Sequence, residues 1–308
     1  MKPTSEILKR MESNSEAHKD GIYTRLYRYL LREDIYMTAY QKLYSNKGAG
    51  TAGIDNDTAD GFGEKYVCQL IKELKEQTYK PKPVKRVYIP KRNGKKRPLG
   101  IPSFKDKLVQ EAMRRILEAI YEPIFSTHSH GFRPSRSCHT ALSEIGNSFR
   151  GIIWFIEGDI KGCFDNIDHN VLLKILSDKI KDSKFINLVR KFLKAGYMEG
   201  WKQYKTYSGT PQGGILSPIL ANIYLHELDK KVEAMQENFN VPRKRDRSSA
   251  YRLKGYEISK LRKRYGQSSN EAEKKTLLKQ IHRLGVELRK LPSKDATDKK
   301  NSLCTVCR

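Results

Sequence analysis

The sequence predicts an α+β fold, on three observations. Long segments carry apolar residues at helical spacing, a basic segment reads as strand–turn–strand, and the apolar run "GIIWFIEGDI" suits a strand covered on both faces. A length of 308 residues allows about two domains and a sizeable core.

The first sixty residues read as largely helical up to a Gly-rich loop, "YSNKGAGTAGIDNDTADGF", which lacks the G-x-x-x-x-G-K-[ST] pattern of a phosphate loop. "KRVYIPKRNGKKRPLGIP" then reads as two strands joined by a turn at Asn93-Gly94. Ser103 with Asp106 three positions on resembles a capping box. It opens a helix with Val109, Ala112, Met113, Ile116 and Ile120 on one face, ending before Pro123. After "GIIWFIEGDI", two helices are expected, one over "HNVLLKILSDKI" and one over "KFINLVRKFLKAG", closed by Gly196. "YMEGWKQYKTYSG" predicts paired strands, and Ser217-Pro218 opens another helix with proline at its favoured first position. From 243 to 291 two charged helices are expected, with Leu253, Tyr256 and Leu261 marking the seam of one. Leu277, Leu278, Ile281, Leu284, Leu288 and Leu291 mark the other.

Sixty Lys and Arg against 35 Asp and Glu leave a net charge of +25. Such a surplus repels itself unless a polyanion shares the surface. It is also uneven: residues 80–97 carry nine basic side chains and no acidic one, and residues 241–300 carry nineteen basic and seven acidic. Two separate basic blocks suit a long nucleic acid better than a small anionic substrate. No stretch approaches the roughly 20 apolar residues of a membrane span, and the first residues lack a secretory apolar region. The expected location is therefore the cytoplasm, bacterial or organellar, with no membrane partner.

The five cysteines are odd in number and scattered, unlike a disulfide framework. Cys304 and Cys307 have C-x-x-C spacing without a second pair to complete a zinc site.

The segment "EGDIKGCFDNIDH" packs Glu157, Asp159, Asp165 and Asp168 into thirteen positions. Asp159 is expected at the carboxyl end of the buried strand, where an ionised carboxylate needs a cation or donors. Strand alternation places Glu157 on the same face. Asp168 precedes a helix and reads as its N-cap, while Asp165 is open between a local cap and a backbone-amide acceptor.

Taken together, "KRPLGIPSFKDKLVQEAM", "SHGFRPSRSCHTAL", "GDIKGCFDNIDH" and "GTPQGGILSPILANIYLHELD" resemble the reverse transcriptases encoded by group II introns, the maturase family, in order and spacing from about residue 20 to 235. The resemblance implies a right-hand polymerase with an N-terminal extension and fingers over 1–104, the fingers re-entered within 169–211. It further implies a palm over 105–235, a basic helical insertion over 236–300, and at 301–308 the start of the palm's catalytic hairpin. Asp159 matches the first metal-binding aspartate, and the carbonyl of Ile160 would hold the nucleotide-side metal. Phe164 matches the gate that meets the sugar of the incoming nucleotide, so a deoxynucleotide substrate is expected. Lys91 and Arg97 match the residues that grip the triphosphate. Gln212 matches the residue that lies under the incoming nucleotide, and Gly213 and Gly214 would allow close backbone approach.

The implied reaction is two-metal phosphoryl transfer with two Mg2+ ions, using dNTPs, a DNA primer and an RNA template, with the intron RNA also bound to assist splicing and mobility. RNA contacts are expected from Lys85, Arg86, Arg92, Lys95 and Lys96 of the basic hairpin, and from Arg133 and Arg136 near the template. Further contacts are expected from Arg243, Lys244, Arg245, Arg247 and Arg252 of the insertion. Zinc on His128, His130, His139 and Cys138 is not expected. The family's Tyr-Ala-Asp-Asp motif occurs nowhere in these residues, and "LCTVCR" stands where the strand leading to it is expected. The expectation is a fragment that binds RNA and, lacking stably bound Mg2+, does not polymerise alone. Two alternatives stay open: a maturase acting only by RNA binding, and another bacterial reverse transcriptase, of retron or CRISPR-associated type. A homodimer is compatible with the sequence but does not follow from it.

Overall fold

The computed structural model describes residues 2–46, 48–90, 94–149, 157–210, 213–239 and 247–293. The chain divides into two compact units, one running through Val232 and one from Glu233 onward, with the division inside a long helix.

The first unit is organised on α4 (Phe104–Tyr121), with 13 of its 18 residues buried. The expected apolar face is there, and Leu108 and Leu117 are buried as well, so apolar burial extends well beyond a single stripe. The helices α1 (Thr4–Ala17) and α2 (Glu33–Tyr44) pack against it. Ser15 Oγ donates to the carbonyl of Ile120 at 2.5 Å, fixing α1 along α4. Asp34 ties α1 to α2 by accepting from the backbone N–H and hydroxyl of Thr4. Burial works to raise the Asp34 carboxyl, but the bonds from Arg32 and Thr4 outweigh it and bring it down to about 2.

Ser103 caps α4, accepting from the Asp106 N–H at 3.3 Å, but the box is only half closed. The Asp106 carboxylate turns elsewhere, accepting from the Tyr79 hydroxyl and from the Lys82 N–H at 2.9 Å. That choice fastens the chain leaving α3 (Glu64–Lys75) to the central helix just before the first strand. Burial raises the Asp106 carboxyl above its ordinary value, with the accepted hydrogen bonds pulling the other way.

Four strands form one sheet, β1 (Val84–Pro90), β2 (Lys96–Ile101), β3 (Tyr197–Glu199) and β4 (Lys202–Tyr204), in the order β2-β1-β3-β4. β1 and β2 are the expected antiparallel hairpin, with Ile89 opposite Arg97 and Val87 opposite Leu99. β3 joins β1 in parallel, with Val84 opposite Tyr197. Between the two hairpins, after α4, lie α5 (Cys138–Ser148), α6 (His169–Lys179) and α7 (Ser183–Leu193). α6 and α7 begin on aspartate caps, Asp168 and Asp182, each accepting from two backbone N–H groups. The expected helix at Ser217-Pro218 is α8 (Ser217–Phe239).

The second unit holds α9 (Ser249–Gln267) and α10 (Glu271–Lys290), packed together. Ser248 Oγ donates to the carbonyl of Pro292 at 2.7 Å, so the start of one helix meets the end of the other. The expected seam needs correction on α9. Leu253 and Tyr256 are exposed, and Ile258 with Leu277 are the buried pair. Leu278 is also exposed, because only one of two adjacent leucines can face the partner.

The apolar strand expected at 151–156 lies outside the described residues, as do Lys91, Arg92, Gln212, Arg243, Lys244, Arg245, Cys304 and Cys307. Its continuation, Glu157 to Ile160, is exposed and carries no strand structure, so the strand-face pairing of Glu157 with Asp159 does not hold there.

Candidate functional site

Three segments make up the candidate site. The first is the loop from Glu157 to Asp168. Gly162, at φ +62°, reverses the chain, and its carbonyl accepts from the N–H groups of Asp165 and Asn166 at 2.9 and 3.0 Å. Asn166 Nδ2 adds a bond to the carbonyl of Lys161 at 3.1 Å. This tight turn presents Phe164 half-buried and leaves Asp159 and Ile160 exposed on its approach.

The second segment, Ser208 to Thr210, is sewn to the first by its backbone. The N–H of Thr210 donates to the carbonyl of Phe164 at 2.7 Å, and that of Gly209 to Ile167 at 2.8 Å. The buried His169 donates from Nε2 to the carbonyl of Gly209 at 2.7 Å. Gly209 is required here. Its φ is +83°, and a Cβ would stand 2.6–2.8 Å from the backbone of Phe164 and Asp165. Below this loop, Gln110 of α4 accepts from the Leu216 N–H at 3.3 Å.

The third segment is β2. At Gly213, φ +100°, a Cβ would lie 2.5 Å from the carbonyl of Gly100 and 2.8 Å from Leu99 Cδ1. The absence of a side chain thus lets this loop lie directly on the strand that carries Arg97. The pairing register puts Arg97 on the face of Leu99, so the exposed Arg97 is on the face whose side chains meet Gly213. Lys85 shares that face, whereas Arg86 and Lys96 lie on the opposite one.

A second ring was not singled out from the sequence. Phe132 stands 6.0 Å from Phe164, nearly edge-on at 85°, with 72% of its surface exposed. Its φ is +55°, unusual for a bulky residue. The only sequence signal is its place in the quoted "SHGFRPSRSCHTAL".

Arg133 corrects an expectation. Its side chain is buried, not offered to phosphate. It donates to the Glu122 carboxylate at 3.0 Å and to the carbonyls of Ser126 and Ser129 at 2.6 and 2.7 Å. Those bonds consume its donors in holding the loop that presents Phe132. Arg136 reaches the carbonyl of Thr127 at 2.5 Å and stays partly exposed. His128 and His130 both meet the carboxylate of Glu144, the latter at 2.7 Å. Among the described residues no group of His, Cys, Asp and Glu is arranged to hold a metal.

Arg247 and Arg252 are exposed, and Arg247 stands 6.0 Å from the ring of Tyr251. Lys95 is exposed as well. Among the described residues Asp159 has neither a hydrogen bond nor an ion pair, and its charge raises the Cys163 thiol, second to burial. An exposed, hard oxygen donor suits Mg2+, but one carboxylate cannot hold two such ions. The described residues therefore fit one ligand of a metal centre rather than the centre itself.

Residues 89–241 match the family described as "Reverse transcriptase (RNA-dependent DNA polymerase)". Over 309 aligned positions, covering all of this chain, it is 54% identical to the "Group II intron-encoded protein LtrA" of Lactococcus lactis subsp. cremoris. The chain belongs to the group II intron-encoded reverse transcriptases. An "Uncharacterized 91 kDa protein in cob intron" of Schizosaccharomyces pombe is 44% identical over 94% of this chain and 36% of that protein. Among solved structures, the "Partial Cas6-RT-Cas1--Cas2 complex" matches at 22% identity and a TM-score of 0.45, over 68% of this chain and 35% of that one. The chain spans 51% of the Lactococcus relative's length. No described helix is long and apolar enough to cross a membrane.

Proposed function

We propose that the protein carrying this chain is an RNA-directed DNA polymerase of a group II intron, copying an RNA template from a DNA primer with dNTPs. The observation that carries the reading is the docking of Gly209 and Thr210 on the Phe164 turn and of Gly213 on the Arg97 strand, within a reverse transcriptase domain. Arg97 supplies a guanidinium fork for phosphate oxygens. Phe164, locked by the backbone bond to Thr210, forms a flat wall at the sugar position. Gly213 lets backbone approach the nucleotide where a side chain would block it.

Bound Mg2+ would supply charge stabilisation on the phosphates, with Asp159 and the carbonyl of Ile160 as this chain's ligands. The first unit corresponds in this reading to fingers and palm, and the helical hairpin to an insertion that binds intron RNA in support of splicing. The RNA contacts in this reading are the exposed Lys85, Lys95, Lys96, Arg247 and Arg252, together with the partly exposed Arg86 and Arg136.

The test is primer extension on an RNA template, in a protein that also carries the second aspartate pair, with dNTPs against rNTPs. Phe164→Val is expected to admit rNTPs while keeping dNTP use. A variant as selective as the parent would remove Phe164 as the gate. Loss of extension in Asp159→Asn is expected, and its survival would overturn the metal assignment.

A further inference from the structure

The sheet has a second face, and the polymerase site leaves it unused. Alternation puts Arg86, Tyr88 and Lys96 opposite to Arg97 and Leu99, and the register continues that face through Tyr197 and Tyr204. On it the Arg86 guanidinium lies 3.4 Å over the ring of Tyr197, which stacks on Tyr204 at 5.0 Å and 13°. This column of cation and two rings crosses three strands. Tyr88, 48% exposed, is held beside it by donating its hydroxyl to Glu199 at 2.6 Å. Glu199, the acid on this face, is thus engaged, while Lys96 and Lys202 are exposed.

At the tip of β3–β4 stands Trp201, 96% exposed. Its φ is +69°, following Gly200 at +52°. Two consecutive positive φ values make the turn that glycine and asparagine favour, and a bulky ring there is an outlier. Neither burial nor backbone preference accounts for tryptophan at this position. Exposed rings interleaved with basic side chains are the composition of a surface that stacks unpaired bases and tracks a phosphate backbone.

We propose that this face, from the Arg86–Tyr197–Tyr204 column to Trp201, binds single-stranded RNA by base stacking, as a surface separate from the nucleotide site. The proposal rests on the RNA reading above. Single strand rather than duplex follows from the chemistry, because paired bases keep their ring faces inside the helix and offer phosphate alone. The charge is complementary, since Arg86, Lys96 and Lys202 stand on this face and its acid, Glu199, accepts from Tyr88.

The test titrates the 308-residue chain with a labelled single-stranded RNA of about 12 nucleotides and with a duplex RNA of equal length, read by fluorescence anisotropy. Trp201→Ala and Tyr204→Ala are each expected to weaken single-strand binding about tenfold, with duplex affinity unchanged. Trp201→Gly separates structure from binding. It relieves the positive φ, so its unfolding midpoint should equal or exceed the parent's while single-strand affinity falls. Unchanged single-strand affinity in the Trp201 variants, or an equal loss on duplex, overturns the stacking face. If the parent chain binds neither RNA, the RNA reading itself fails. If it binds both and the variants are inert, only this inference does.

Discussion

The two basic blocks of this chain look alike in charge and differ in how they are held. In the sheet, Arg86 is laid on Tyr197 and the strands beneath are paired on both sides, so the cation has a defined position. In the helical block, Ile258 of α9 and Leu277 of α10 are the buried apolar residues, and Arg247 and Arg252 are exposed. The lesson is that a run of positive charge becomes a site only where a partner fixes it. A fixed cation loses less side-chain entropy on binding, whereas a solvated one must be ordered by the ligand.

The comparison breaks most visibly in the helical block. Ile258→Ala or Leu277→Ala should each remove about 2 kcal/mol or more, enough to melt a hairpin with so narrow a seam. Amide exchange across α9 reads this directly, and unchanged protection would show that the seam is not what holds the pair.

In the sheet-side site, Gly213→Ala is expected to cost about 1–3 kcal/mol, since a Cβ meets the carbonyl of Gly100 at a φ that suits glycine. A denaturant melt measures the cost, and primer extension should fall with it. A neutral variant would mean that the loop yields without consequence.

The contrast between fixed and solvated cations is sharpened by Arg86→Ala against Arg252→Ala. About fivefold loss of RNA affinity is expected for the first and less than about twofold for the second. Each should reduce the salt slope by about one if it meets a phosphate. Equal losses would erase the distinction.

The smallest expected effect is a pH dependence of the helical block. The bond from Lys254, helped by that from Arg283, holds the Glu287 carboxyl below its ordinary value of 4.5. A depressed acid contributes stability above its unfolded value and loses it as pH falls through the folded one. Thermal melts should therefore show a slight drop below about pH 4.5, absent in Glu287→Gln. An identical drop in that variant would assign it elsewhere.

Much of the fold was legible because its signals are local. Asp168 before a helical run, Ser103 before α4 and proline after Ser217 act through hydrogen bonds and sterics within a few residues. Periodicity located the apolar faces, but it misplaced the seam of α9, because Leu253 and Tyr256 fit helical spacing without facing the partner helix. In the site, the resemblance named Phe164, Arg97 and Gly213, yet nothing in the chain order brought Phe132 against Phe164 or Gly209 onto its backbone.

What the sequence by itself determined is most of the helices, the two β-hairpins, the positive charge and the family's motifs, all encoded in neighbouring residues. Only the tertiary structure decided which charges are free to act. Arg133 and Arg136 stand three apart in one basic motif, yet Glu122 and two carbonyls consume the first, while the second stays partly exposed. The physical reason is that a guanidinium's availability depends on acceptors brought from elsewhere in the chain, and folding alone delivers them.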